Sequence, residues 1–284
     1  MTVTSEATAG GHAGGGEPVW KGEPGNTSTL LGRPAVGYLD AAADTLATVK
    51  REILRRLAPA PGQRLLDVGC GNGADVLELA GRVVPAGEVI GVDVNERAIE
   101  EARARGTGTG VPASFQSASA FALPFADGHF DGVRAERVVQ HLPDPAAAIA
   151  EMVRVARPGG RVLVADPDHG MWAPDLDDRE ATRAVLAWWF DNIRNPWIGR
   201  RLSGLLRAAG LVEVQARLMP VVLDGVTAAD GLTGFSDAVR RAGELGVLEP
   251  DRARALTANI AEREADGGFL MYGAMILAEG RKGD

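Results

Sequence analysis

The sequence predicts an α/β protein with a mainly parallel, doubly wound sheet, and three observations carry that prediction. Short apolar runs alternate with amphipathic stretches between residues 64 and 166, the rhythm of right-handed βαβ units. One run ends in a turn with glycine at alternate positions, Gly69-Cys70-Gly71-Asn72-Gly73. The next run ends in a carboxylate, Asp93.

Taken in order, the chain opens on Gly10, Gly11, Gly14, Gly15 and Gly16 with almost no apolar mass, so residues 1–35 read as a mobile tail. Residues 36–284 read as a single domain. From Tyr38 to Leu57, apolar Leu39, Ala42, Leu46, Val49, Ile53 and Leu57 recur every three or four residues, which predicts an amphipathic helix that Pro59, Pro61 and Gly62 stop. Arg64 to Val68 is a buried strand and Ala74 to Ala80 a helix. Glu88 to Val94 is the second strand, and Asn95 to Arg105 a helix with Asn95 as N-cap. Ala113 to Gln116 and Phe130 to Ala135 are further strands. Asp144 to Ala156 is a helix closed by Pro158-Gly159-Gly160, and Arg161 to Asp166 is the fifth strand.

After Asp166 the rhythm breaks. Residues 167–197 hold one predicted helix, Arg179 to Arg194; a helix at Ile198 to Ala209 and a strand at Leu211 to Leu218 follow. Residues 224–268 hold two short amphipathic helices, and Phe269 to Ala278 is a closing strand. The irregular stretches 167–197 and 224–268 read as helical cap insertions.

Composition narrows the function. A formal net charge of −8 argues against a nucleic-acid binder and against docking on an anionic membrane. No run approaches the roughly 18 apolar residues of a spanning helix, and no signal peptide is visible at the N-terminus. A lone cysteine makes no internal disulfide, which fits a cytoplasmic protein.

The glycine turn lets the backbone turn tightly and approach a ligand closely. Asp93 stands 24 residues after Gly69, where a carboxylate can accept from both hydroxyls of a ribose. Together they indicate a nucleoside ligand. The glycine spacing differs from the dinucleotide fingerprint, and Asp75 and Glu78 in the following helix suit a cationic sulfonium better than a pyrophosphate.

These residues resemble motif I of class I S-adenosylmethionine-dependent methyltransferases. Gly91-Val92-Asp93-Val94, Leu123-Pro124-Phe125, Phe130-Asp131-Gly132-Val133, the run Val138 to Pro145 and Arg157-Pro158-Gly159-Gly160 match in order, most like the ubiquinone/menaquinone-type small-molecule branch. The resemblance implies a Rossmann-like, seven-stranded sheet with an antiparallel last strand. It implies that Asp67, Gly69, Cys70, Gly71 and Gly73 line the methionine part of the cofactor. By the same likeness Asp93 takes the ribose, Val94 flanks adenine, Ser119, Ala120 and Phe121 meet the adenine edge, and Glu136 and Arg137 lie under the methionine end. Ser119 stands where the family often has an acidic residue.

Cys70 reads as a small buried side chain rather than a nucleophile. His141 and His169 are candidate general bases, each weighed against a structural role. Asp166, Asp168 and His169 follow the fifth strand, where an open sheet presents its crevice; a substrate contact, a metal and a plain aspartate-proline turn stay open there, and no metal is expected. Tyr38, Trp172, Trp188 and Trp189 are the candidate walls of an apolar substrate pocket, the alternative being core packing.

The expected activity is methyl transfer from S-adenosylmethionine to the oxygen, nitrogen or carbon of a small molecule in secondary metabolism. Positioning can carry that reaction without a base. Its rivals are quinone-type C-methylation, a non-methylating reaction such as a cyclisation on the same fold, a nucleic-acid or protein methyltransferase, and an NAD-linked oxidoreductase. The expected partner is the small-molecule acceptor, with no nucleic acid and no membrane, and a homodimer is a possible assembly.

Overall fold

The computed structural model describes residues 45–284. The predicted tail, Tyr38 and the start of the first predicted helix lie outside the described residues. The described part of that helix, α1 (Ala47–Leu57), buries Val49, Ile53, Leu54 and Leu57 and ends at Ala58 in a left-handed conformation.

Five strands then alternate with helices: β1 (Arg64–Val68), α2 (Ala74–Val83), β2 (Glu88–Asp93), α3 (Glu96–Gly106), β3 (Ala113–Ser117), β4 (Phe130–Glu136), α4 (Pro145–Val155) and β5 (Ala156–Pro167). Asn95 caps α3 as expected, its side chain accepting from the N–H groups of Arg97 and Ala98. All neighbours among β3-β2-β1-β4-β5 pair in parallel. This order, with the chain reversing direction across β1, leaves a crevice at the carboxyl ends of the strands.

The second half adds β6 (Ala173–Pro174), α5 (Arg179–Asp191), α6 (Ile198–Ala208), β7 (Leu211–Asp224), α7 (Val226–Thr233), α8 (Phe235–Glu244), α9 (Pro250–Ala265) and β8 (Leu270–Lys282). Strand β8 runs antiparallel to β5, β6 and β7 and sits between β5 and β7. The described residues thus form eight strands against the seven expected, the extra one being the two-residue β6 on Met271 and Tyr272.

Among the elements that depart from expectation, three stand out. β7 runs on past Leu218 through Pro220 to Asp224, because β8 is its only partner among the described residues and an edge strand tolerates a missing N–H. β5 begins at Ala156 and takes in the turn Pro158-Gly159-Gly160. Residues 224–268 hold three helices where two were expected, since Gly234 at φ 68° separates α7 from α8 without a longer loop.

Apolar packing covers both faces of the sheet. Leu65, Val76, Leu79, Val89, Ile99 and Phe115 cluster on the side of α2 and α3. Leu66, Val133, Ile149, Met152, Leu202 and Leu206 cluster on the side of α4 and α6. A third cluster joins α5, α7, α8 and α9 to β7 and β8 through Trp189, Leu232, Phe235, Leu256, Leu223 and Met271. Each such side chain contributes roughly 1.5–3 kcal/mol on full burial, so the late helices are held by apolar area. The ion pair of Arg252 with Asp178, at 2.6 and 2.8 Å, ties α9 to the N-cap of α5 but is partly exposed and adds little. Among the described residues no helix is long and apolar enough to cross a membrane.

Candidate active site

The turn after β1 takes its shape from three glycines with positive φ. Gly69 (φ 75°) lies so close to the loop after β4 that a Cβ would fall 2.3 Å from Val138 Cγ2. A Cβ on Gly73 (φ 77°) would meet the Phe115 ring at 2.6 Å. Both positions therefore exclude a side chain by conformation and by space. Cys70 is buried on Gly91, and burial pushes its thiol well above the ordinary range, so it is no nucleophile at neutral pH.

Asp93 ends β2 beside this turn. Its Oδ2 accepts from the Gly71 N–H at 3.0 Å and its Oδ1 from the Asn95 N–H at 2.9 Å. The carboxylate is thereby locked in orientation, and each oxygen keeps a lone pair for a further donor. Val94 and Phe121 are exposed apolar side chains along the same edge, where Ala118 N–H bonds the Asp93 carbonyl. Ser119 Oγ accepts from the Phe121 N–H, which shapes that loop, and Ala120 is buried within it.

On the other flank of the turn lies a charge cluster that spacing alone does not reveal. Arg134, 2% exposed in β4, reaches Asp67 at 3.2 Å, Asp75 at 3.0 Å and Glu136 at 2.7 Å. Lys50 of α1 reaches Asp75 at 2.5 Å and Glu136 at 3.5 Å. Three carboxyls face two cations, so the cluster carries one net negative charge when all three are ionised. Burial pushes Asp67 up to about 7 against the pull of Arg134. Burial also acts on Asp75, but Arg134 and Lys50 outweigh it and hold that carboxyl at about 2. The signal for Arg134 was in the sequence: a charge in the middle of the apolar run Phe130 to Ala135 must be paired if the strand is central.

Beyond Glu136 and Arg137 a cavity opens at the ends of β4 and β5. Leu46, Trp172, Trp189, Val221, Leu232 and Met275 supply apolar walls. Arg137, Gln140, His169 and Thr233 supply the polar ones. Of the expected pocket residues, Trp172 and Trp189 line the cavity, whereas Trp188 packs half-buried against the third apolar cluster. Gln140, Thr233 and Leu46 are contributors the sequence did not single out.

His169 sits in a chain of hydrogen bonds. The Trp172 indole N–H donates to His169 Nδ1 at 3.3 Å, and His169 Nε2 lies 2.8 Å from Gln140 Oε1. An indole only donates, so Nδ1 accepts and Nε2 carries the proton that Gln140 receives. Burial holds this ring neutral, down to about 3. His141 is likewise pushed down to about 4 by burial, with Arg137 and Arg194 adding to the effect. Asp168 is held by Arg200 through two bonds at 2.6 and 2.7 Å, and Asp166 accepts from the N–H groups of Val139 and Gln140. Asp168 is thus paired with Arg200 while Asp166 and His169 both bond Gln140, at its backbone N–H and its side-chain oxygen, and the described residues hold no cluster suited to a metal ion.

The sheet order, with an antiparallel strand inserted beside β5, is that of the class I methyltransferase fold. A putative methyltransferase from Bacillus halodurans shares it at a TM-score of 0.57 and 20% identity, over 84% of this chain and all of that one. The methyltransferase domain family matches residues 59–200, and the chain belongs to that family. It is 34% identical to the nocamycin O-methyltransferase of Saccharothrix syringae, over 79% of this chain and 86% of that one. It is 37% identical to the O-methyltransferase cnsE of Penicillium expansum, over 65% and 67% respectively. An uncharacterised 37.1 kDa protein from a Streptomyces fradiae transposon is 38% identical; there the chain spans 62% of the relative's length. The [4+2]-cyclase SpnF is similar in structure, with a TM-score of 0.51 and 25% identity over 84% of this chain and 82% of that one.

Proposed function

We propose that this chain transfers a methyl group from S-adenosylmethionine to an oxygen atom of a small molecule of secondary metabolism. The observation that carries the reading is Asp93, fixed by two backbone N–H groups beside the glycine turn with acceptor capacity to spare. The donor set suits the cofactor: the net negative charge of the Asp67, Asp75, Glu136, Arg134 and Lys50 cluster complements a sulfonium and an ammonium.

When bound, the cofactor supplies an electrophilic methyl group. Asp93 holds the ribose hydroxyls, Val94 and the loop Ser119, Ala120 and Phe121 meet adenine, and Asp67, Gly69, Cys70, Gly71, Gly73, Glu136 and Arg137 surround the methionine part. Trp172 and Trp189 wall the acceptor beneath the cap formed by residues 167–197 and 224–268. Both nitrogens of His169 are engaged, which leaves that ring no lone pair for a substrate proton and supports catalysis by alignment and exclusion of water. Effective molarities on the order of 10⁵–10⁸ M are available from such positioning. The O-methyltransferase relatives support oxygen as the accepting atom. The single cysteine supports a cytoplasmic location, and the acidic balance supports a partner other than nucleic acid; a homodimer stays part of the proposal.

The likeness to SpnF favours one second reading, a cyclisation on the same fold. Calorimetry with S-adenosylhomocysteine and with NADH tests the first reading: micromolar binding of the former and none of the latter is expected. Release of S-adenosylhomocysteine during turnover then separates methylation from cyclisation. A chain that ignores S-adenosylhomocysteine refutes both.

A further inference from the structure

The first turn of α1 touches both halves of the crevice. On the donor side, Lys50 Nζ reaches Asp75 Oδ2 at 2.5 Å and Glu136 Oε1 at 3.5 Å. On the other, Leu46, 1% exposed, is one of the apolar walls of the cavity. The Lys50 N–H donates to the Leu46 carbonyl at 2.8 Å. The two residues therefore stand one helical turn apart, and their side chains leave the same face of the helix.

Two features tie Lys50 to the strands rather than to its own helix. A cation in the first turn opposes the helix dipole, and that turn of α1 has no acidic side chain to offset it. The chain also uses arginine at nearly all its basic positions: Lys21, Lys50 and Lys282 are the only lysines among 30 such residues. A compact ammonium, and not a guanidinium fork, is thus what bridges Asp75 and Glu136. Burial of Ile53, Leu54 and Leu57 seats the later turns of α1, whereas the ion pairs of Lys50 anchor its start.

We propose that Lys50 is a positioning residue of the methyl transfer: by bridging Asp75 and Glu136 it holds Leu46 in the cavity wall and sets the charge that the sulfonium meets. The proposal rests on the methyl-transfer reading and adds a residue to it. Asp75 and Glu136 also bond Arg134, so both keep a partner when Lys50 is taken away. The cluster then passes from about one to about two net negative charges with every carboxyl ionised. S-Adenosylmethionine gains from that change and S-adenosylhomocysteine does not, because only the former carries a positive charge on sulfur. The start of α1 loses its tie at the same time, and Leu46 its fixed place.

Calorimetry on Lys50→Met measures the first consequence. The preference for S-adenosylmethionine over S-adenosylhomocysteine should rise about threefold or more, the scale of one partly screened charge. Lys50→Arg should keep the wild-type ratio, whereas loss of packing alone would weaken both ligands alike. Hydrogen exchange measures the second: in Lys50→Met the amides of residues 49–51 should exchange about fivefold faster, with those of Leu54 and Leu57 unchanged. The Leu46 methyl resonance, identified by its absence in Leu46→Ala, should move as well, and Lys50→Arg should restore both. The wild-type chain supplies a readout that needs no folded Lys50→Met. With ¹⁵N-labelled lysine, the Lys50 ammonium resonance should differ between the two cofactor complexes. That of Lys282, which bonds carbonyls at the opposite end of β5, should be the same in both. An unchanged affinity ratio, an unmoved Leu46 methyl, or a Lys50 resonance identical in the two complexes overturns the proposal. Binding of S-adenosylhomocysteine to wild type decides the methyl-transfer reading, so a chain that binds it and shows none of these changes refutes the role of Lys50 alone.

Discussion

Replacing Arg134 with methionine probes the arrangement that the site depends on most. The wild-type cluster has carboxylates at Asp67, Asp75 and Glu136 against Arg134 and Lys50, a net charge of about −1. Arg134→Met keeps the length of the side chain and leaves Lys50 as the lone cation, so two negative charges stay uncompensated in a buried site. Removing one partner from a buried ion pair costs about 3–5 kcal/mol. For a chain of this size each kcal/mol lowers the melting temperature by about 2–4 °C, so the variant should melt roughly 6–20 °C below wild type near neutral pH. The sign of the pH dependence adds a second check. Without the guanidinium, Asp67, which already stands at about 7, titrates higher still. The folded variant then binds more protons than its unfolded chain, and its deficit shrinks as pH falls towards about 4. Differential scanning calorimetry across that range measures both effects, with Arg134→Lys expected to recover part of the loss. A variant that melts with wild type at neutral pH, or whose deficit is the same at every pH, would refute the reasoning.

Three further outcomes are expected. Asp93→Ala removes a charged acceptor for two hydroxyls, each bond contributing about 1.5–3 kcal/mol, so calorimetry should show S-adenosylhomocysteine binding weakened at least about a hundredfold; equal affinity in the two proteins would place the ribose elsewhere. Because burial takes His169 from 6.5 down to about 3, the unfolded chain binds more protons than the folded one between those values. Wild type therefore loses stability on acidification, by up to about 1.4 kcal/mol per pH unit, and melts of His169→Gln should close on wild type as pH falls from 6.5; parallel curves would show the ring charged in the fold. Gly69→Ala adds a Cβ 2.3 Å from Val138 at a φ of 75°, so it should both lower the melting temperature and loosen cofactor binding; a fully active variant would mean that the turn and the Val138 loop can separate.

The sheet from β1 to β5 was legible because each strand there is a short apolar run with its own punctuation, and local patterning suffices to see it. The glycine turn and Asp93 were legible for a related reason: their spacing is set within one βαβ unit. What the pattern could not give is contact between distant elements. Lys50 lies 25 residues before Asp75 and 86 before Glu136, and only the docking of α1 across the strand ends brings the three together. Trp188 and Trp189 are neighbours with the same side-chain chemistry, yet only Trp189 lines the cavity, because helical geometry sends adjacent residues about 100° apart. Pro220 read as a strand end because edge position, which makes it harmless, is a property of the sheet and not of the segment.

The two halves of the crevice differ in charge, and the reaction proposed for them needs such a difference. The side next to the glycine turn carries three carboxylates to two cations, and burial keeps the Asp67 proton close to equilibrium with neutral solvent. The cavity side is walled mainly by apolar side chains, with no carboxylate among the described lining residues. A sulfonium drawn to the first and an acceptor seated in the second would face each other across Glu136 and Arg137, adjacent residues at the end of one strand. Methyl transfer removes the positive charge from sulfur, so the cofactor is less polar after the reaction than before it, and the step gains from a site without bulk water. Fixed charges of opposite sign would otherwise bind the ground state too firmly; the pairing of Arg134 with three acids limits that cost by leaving only about one net charge on the donor side. On this reasoning the ion cluster is a device for alignment as much as for stability. Arg134→Lys, which keeps the charge but loses the fork that holds Asp67, Asp75 and Glu136 at once, should therefore lower kcat more than it raises KM for the cofactor. The opposite split, a large KM effect with kcat unchanged, would confine the cluster to binding.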